Sequence, residues 1–224
     1  GTGLYLQNAA TVEVNNSIFW NDDSVEVYFS AEGEPNQINA TYSDIRGGEE
    51  SVQLNGNGEL TWLNDNIDVD PMFADTANGN YHLLASSMCI NAAHPDSTDS
   101  DGSRLDMGGY PYLNSYSGPT WYVGPAGNNT VGTGSIENPL ASIQAAINFA
   151  TTTGDSVIVA SGTYMENINF RGRNIKVVGA DRETTIIDGN ENGSVVTFEN
   201  PNGEFNQYQD AVLKNFTITN GSGW

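Results

Sequence analysis

Residues 154–188 read GDSVIVASGTYMENINFRGRNIKVVGADRETTIID, and this stretch decides the fold. Within it, 156–160 (SVIVA), 174–178 (NIKVV) and 185–188 (TIID) are short runs of Val, Ile and Thr set between Gly, Asn and Asp. β-Branched side chains crowd a helix but pack well on a pleated surface, and Gly and Asn tolerate the positive φ of tight turns. Each run therefore predicts a strand and each gap a turn. The same texture continues outward through 194–198 (SVVTF) and 213–219 (LKNFTIT), and it recurs in 11–20 (TVEVNNSIFW) and 24–29 (SVEVYF). Its regular spacing predicts a structural repeat, with Val157, Ile158, Val177, Ile186, Val196 and Phe198 lining or flanking the core.

One segment reads as a helix, over 140–150. Asn138 is placed to cap it, Pro139 fits the first helical position, and Leu140, Ile143, Ile147 and Ala150 share a face before Gly154 ends the pattern. A helix standing just before a series of strands suits a plug over the open end of a stack. Toward the middle of the chain the strand pattern stops, and the polar run 94–110 and the Pro-bounded segment 111–119 follow. The organisation expected is finishing coils and a closing loop over 1–110, a linker over 111–120, and a capped beginning over 121–224.

Among the 224 residues, 28 Asp and Glu face 7 Lys and Arg, a formal net charge of −21. A polyanion would be repelled at every approach, so nucleic acid is excluded as a partner, while divalent cations are favoured. Such acidity also suits secreted proteins in salty or calcium-rich surroundings. The single cysteine, Cys89, excludes an intramolecular disulfide and lies in an apolar run, Met88-Cys89-Ile90, which reads as a buried thiol. No stretch reaches the ~20 apolar residues of a membrane span, and the chain carries neither an initiator Met nor a signal peptide, so it reads as an internal fragment.

Placing Gly1 after Trp224 continues the pattern of strand, glycine turn and strand. Residues 213–220 (LKNFTITN) align with 14–21 (VNNSIFWN), matching Asn215 to Asn16 and Asn220 to Asn21, 25 residues apart across the join. A second alignment, of 38–45 with 14–21, sets Ala40 opposite Asn16 at a spacing of 24. Equivalent Asn residues at turns suggest either a ladder of stacked amides or the ordinary preference of turns for Asn. The two coil-length spacings point to one period of a tandem array or a subunit that stacks on its neighbours, with a permuted single β-helix as the alternative.

Several motifs carry a resemblance. Tyr122-Val-Gly-Pro-Ala-Gly127, Gly132-Thr-Gly-Ser-Ile-Glu-Asn-Pro-Leu-Ala-Ser-Ile-Gln-Ala-Ala-Ile147, Gly154-Asp-Ser-Val-Ile-Val159 and Gly162-Thr-Tyr-Met-Glu-Asn-Ile168 resemble the N-terminal cap and first coils of secreted bacterial right-handed parallel β-helix proteins of the pectate-lyase-like superfamily. Asp68-Val-Asp-Pro-Met-Phe73, Asn80-Tyr-His-Leu-Leu84, Cys89-Ile-Asn-Ala92 and Asp99-Ser-Asp-Gly-Ser-Arg-Leu-Asp-Met-Gly-Gly-Tyr110 resemble the closing part of the same proteins. The resemblance implies an all-β fold, a right-handed parallel β-helix (solenoid) with one capping helix, present as two half-solenoids, in an extracellular or cell-surface protein. It fixes no activity, because the fold hosts lyases, esterases, glycosidases, adhesins and structural units.

The chemistry of those enzymes is hard to place here. None of the seven basic residues, Arg46, Arg104, Arg171, Arg173, Lys176, Arg182 and Lys214, stands in a lyase-like constellation, and the paired carboxylates of a hydrolase have their nearest counterpart in Asn21-Asp22-Asp23, which also reads as a polar turn. Asp96, Asp99, Asp101 and Asp106 precede or flank Gly102 in an oxygen-rich loop that suits Ca²⁺, although the bidentate Glu of an EF-hand is missing. The alternative is a polar turn in which Arg104 pairs with Asp101 or Asp106. Asn15, Asn39, Asn128, Asn192, Asn215 and Asn220 begin glycosylation triplets, a weak signal in so Asn-rich a chain.

The expectation is therefore a non-enzymatic structural unit of an extracellular filament or giant surface protein. Copies join head to tail through Gly1, Leu4 and Asn16 on one side and Leu213, Asn215 and Trp224 on the other. The alternatives are a polysaccharide lyase or esterase, and an adhesin that binds surface glycans on Tyr5, Trp20, Tyr28 and Tyr42.

Overall fold

The computed structural model describes residues 2–21, 25–63, 65–198 and 210–223. It is built mainly of short strands, with one α-helix. Two compact units emerge, one of Gly1–His82 with Met88–Leu113 and the other of Leu83–Ser87 with Asn114–Trp224.

In the first unit the strands are β1 (Leu4–Leu6), β2 (Thr11–Asn15), β3 (Ile18–Phe19), β4 (Val27–Phe29), β5 (Asn36–Thr41), β6 (Asp44–Ile45), β7 (Val52–Gln53) and β8 (Gly58–Trp62), followed by β9 (Phe73–Asp75) and β10 (Asn80–Leu83). The chain deals the first eight in turn into three sheets, ordered β1-β4-β7, β2-β5-β8 and β3-β6. Every registered pair among them is parallel: Leu4 with Val27, Val12 with Ile38, Phe19 with Ile45, Val27 with Val52, Ile38 with Leu60. Alternation along each strand sends Leu6, Val14, Val27, Phe29, Ile38, Ala40 and Ile45 into one buried cluster. Gly58 is required where it stands. Its φ is +149° and a Cβ there would lie 2.2 Å from the Asn36 carbonyl oxygen.

The register corrects the alignment that set Ala40 opposite Asn16. Val14 faces Ala40 and Asn15 faces Thr41, so the spacing is 26 and Asn16 comes opposite Tyr42. Both Asn16 (φ 54°) and Tyr42 (φ 49°) are left-handed, and the bend at these residues, not the identity of the side chain, sets the register. The residue opposite Asn16, just past the neighbouring strand, is therefore Tyr42. Polar rungs form one position later: Ser43 Oγ accepts from Ser17 N at 3.1 Å, and Asn66 Oδ1 accepts from Ser43 N at 3.0 Å.

In the second unit the elements are β11 (Thr120–Val123), α1 (Ile143–Phe149), β12 (Ser156–Val159), β13 (Gly162–Met165), β14 (Ile168–Asn169), β15 (Lys176–Gly179), β16 (Thr185–Asp188), β17 (Val196–Thr197), β18 (Val212–Lys214) and β19 (Thr217–Thr219). Again successive strands fall into three sheets, β11-β12-β15-β18, β13-β16-β19 and β14-β17, with parallel registers throughout. Val157 and Val177 are fully buried as expected, and Ile186 and Val196 are half-buried. Phe198, 42% exposed, flanks buried Phe170 with its ring stacked at 4.3 Å, whereas Ile158 is a correction: alternation turns it outward, 37% exposed.

The helix is shorter than the spacing predicts. Leu140 is held in a bridge to β11, donating to Tyr122 O and accepting from Gly124 N, so helical geometry cannot begin there. Ser142 is the cap in place of Asn138, its Oγ accepting from Ala145 N at 3.3 Å. The carboxylate of Glu166 accepts from Ile143 N at 2.8 Å and Gln144 N at 3.0 Å, satisfying two more of the first-turn donors. All seven helical residues are buried.

Candidate functional site

The acidic loop of the first unit is built around Asp106. This buried carboxylate accepts from Asn91 N through Oδ1 and from Tyr112 N through Oδ2, both at 2.7 Å, while Asp106 N donates to Asp99 Oδ2 at 2.9 Å. Asp101 Oδ1 accepts from Ser103 N and Oγ, and Asp96 is exposed. Desolvation pushes the Asp106 carboxyl up to about 7 against the two backbone donors, and it also raises Asp99. The loop thus brings Asp99 to Asp106; the Asp101 bonds to Ser103 are those of a local turn, whereas Asp106 ties together the more distant backbone of Asn91 and Tyr112. Among the described residues no group of three or more His, Cys, Asp or Glu side chains is arranged to hold a metal ion. Arg104 sends Nε to Ala93 O at 2.6 Å and a terminal nitrogen to Ala92 O at 3.1 Å, with its guanidinium 5.9 Å from the Tyr42 ring centre.

Of the other basic residues, three are tied into structure, while Lys176, Arg182 and Lys214 are exposed. Arg46 donates to Asn21 O and lies over the Trp20 ring, Arg171 donates to Asn148 Oδ1, and Arg173 donates to Ile147 O. Cys89 is buried and its thiol points at Asp44 Oδ2, 3.2 Å away. Asp44, itself buried, also accepts from Val69 N, and desolvation lifts its carboxyl to about 7. The acid pair Asp22 and Asp23 lies outside the described residues, as do Gly1 and Trp224.

Of the proposed glycan platforms, Tyr5 and Tyr28 stack with ring centres 5.9 Å apart, and Tyr42 meets His94 edge-on at 4.9 Å. A larger aromatic feature is elsewhere. An open groove of about 560 Å³ is lined by Asn16, Ser17, Ile18 and Phe19, by Phe73 and Tyr81, and by Gly108, Gly109 and Tyr110. Phe73 meets Tyr81 edge-on at 5.4 Å from the neighbouring strands β9 and β10, and His82 tilts against Tyr110 at 4.9 Å. Gly108 forms the third wall because it can come close: its N donates to Asn16 O at 2.9 Å, and a Cβ there would lie 2.8 Å from Ile18 Cδ1. Sequence reading missed Phe73 and Tyr81, although two aromatics flanking Asn78-Gly79 are the signal of a cross-strand pair.

The sheet-edge strands β1, β2, β3, β18 and β19 form the remaining candidate. Asn215 (φ 63°) bends the chain between β18 and β19 as Asn16 does between β2 and β3. In each case the left-handed Asn and one further residue separate the strands. Leu213, the register partner of fully buried Val177, is half-buried, and Ile218, the partner of fully buried Ile187, is 48% exposed. Leu4 and Val12 are likewise only half-buried beside buried Val27 and Ile38. Comparison with protein-family models, curated proteins and solved structures finds no match.

Proposed function

We propose that the chain is a structural repeat of a parallel β-helix, joined head to tail with further copies in an extracellular filament or surface protein. One observation carries the reading: Leu4, Val12, Leu213 and Ile218 are less buried than their register partners one strand inward, Ile218 most of all at 48% exposed, and the bends at Asn16 and Asn215 match. Leu213, Asn215 and Ile218 correspond to Val14, Asn16 and Phe19 in place along the bend. The rotation of strands through three parallel sheets supports a coil, as does the resemblance of the cap and closing motifs to secreted bacterial β-helix proteins. In such a joint, β18 and β19 of one copy lie against β2 and β3 of the next, a heterologous contact that propagates unless its rotation closes a ring.

Charge favours this contact. Residues 211–223 contain Lys214 and no acid, and residues 2–21 contain one acid, Glu13, in a chain of net charge −21. These two segments therefore add little to the repulsion between copies. The test is sedimentation velocity across a concentration series with negative-stain electron microscopy of the same samples. Oligomers that lengthen with concentration, or a closed ring, are expected; a monomer at every concentration rejects the reading.

A further inference from the structure

We infer that the groove over β3 is the seat of the β19 strand of another copy, with Ile218 as its anchor. This rests on the head-to-tail reading and names the residues that would make the joint. Four consecutive groove residues, Asn16 to Phe19, belong to the bend and to β3, and among the described residues β3 pairs only with β6. One side of β3 thus offers backbone groups to an incoming strand. The walls are supplied by Phe73, Tyr81 and Tyr110, and the two tyrosines are 47% and 53% exposed.

The incoming strand matches this seat in three respects. Its bend has the same left-handed residue, so Asn215 falls beside Asn16, Thr217 beside Ile18 and Ile218 beside Phe19. Ile218 is an exposed aliphatic side chain in line with the buried Tyr164 and Ile187, and the groove lining includes the aromatic rings of Phe19, Phe73, Tyr81 and Tyr110. Lys214 falls beside Asn15, within reach of Glu13 on the same outward face, the one acid of that rung. Strand addition supplies the main-chain hydrogen bonds, and the aromatic walls select the residue that enters.

Complementation of two singly blocked chains tests the assignment. Ile218→Asp blocks the donor strand and leaves the groove intact, and Tyr81→Asp blocks the groove and leaves β19 intact. Both sites are about half-exposed, so circular dichroism should match wild type, and Tyr110→Ser serves as a second groove variant should Tyr81→Asp disturb β10. Each variant alone is expected to associate at least about tenfold more weakly than wild type. Their mixture is expected to recover a contact that stops at the dimer, because each pair retains one good donor and one good groove. Wild-type assembly that all three variants preserve would overturn the groove assignment while leaving the head-to-tail reading in place. A wild-type chain that never associates would overturn both.

Discussion

The two ends of the second unit differ in what covers them. Beneath α1 the first rungs are closed: Trp121, Val157, Ile143 and Ile147 are at most 3% exposed. At β18 and β19 burial falls away: Leu213, in the register column of Trp121 and Val157, is half-buried, and Ile218 is 48% exposed where its partner Ile187 is at 0%. Ile218 is no more polar than Ile187. Burial here is conferred by the neighbouring layer, and the helix supplies that layer at one end only.

The largest effect expected from this contrast comes from a charge at each end. Ile147→Asp puts an unpaired carboxylate into the sealed end and should cost about 4 kcal/mol or more, whereas Ile218→Asp in dilute monomer should stay within about 0.5 kcal/mol. Urea melts measure both, and equal losses would break the comparison.

Acidity sharpens it next. Glu166, whose carboxylate caps the helix, is raised to about 7 by desolvation despite its two backbone donors, and Asp44 and Asp106 in the first unit are raised to about 7 as well. Each binds its proton more tightly folded than unfolded. Their contribution is complete below about pH 4 and is lost as pH rises through 7. Thermal midpoints should therefore climb by several degrees from pH 8 to pH 5, and Glu166→Gln should flatten the part belonging to the sealed end.

A smaller loss is expected from Gln144→Ala. Gln144 is clamped in the helix, its Oε1 accepting from Asn169 N at 2.8 Å and its Nε2 donating to Asn148 Oδ1 at 3.0 Å and Asn169 O at 3.3 Å. Removing it leaves buried groups unpaired at a cost of about 1–3 kcal/mol by chemical denaturation. The smallest change belongs to the open end, where Asn215→Gly keeps a residue suited to positive φ and should shift stability by no more than about 0.5 kcal/mol. A larger loss there would mean that the Asn215 side chain holds the bend.

Much of the strand pattern was legible because it depends on local chemistry: 156–160, 174–178, 185–188 and 213–219 all contain strands, and the registered pairs are parallel. The start of the helix was not, because Leu140 satisfies the apolar periodicity while its backbone is engaged by β11. The 24-residue spacing failed because Tyr42, a residue that seldom takes positive φ, occupies the bend where an alignment looks for Asn or Gly. Of the candidate site, the bend at Asn16 and the acids of the 96–106 loop were visible. The groove was not, since Phe19, Phe73 and Tyr110 are distant in sequence and meet only through the backbone path between them. Nor can periodicity reveal that Asp44 or Glu166 is withdrawn from water.

The segment Leu83–Ser87 belongs to the second unit although the chain on either side of it belongs to the first. Ala85 N donates to Asn129 O at 2.8 Å, and the buried amide of Asn148 donates to Ala85 O and Ser87 O at 3.1 and 2.7 Å. Synthesis on the ribosome delivers these five residues well before the helix they serve, so they must wait in a nascent chain whose second unit does not yet exist. A fragment starting at Asn114 would leave the Asn148 amide hydrogens without those carbonyls. The gene therefore cannot be divided at a single point into two self-sufficient pieces, and recombination that exchanged one unit would have to carry a short insert from the other side of the boundary.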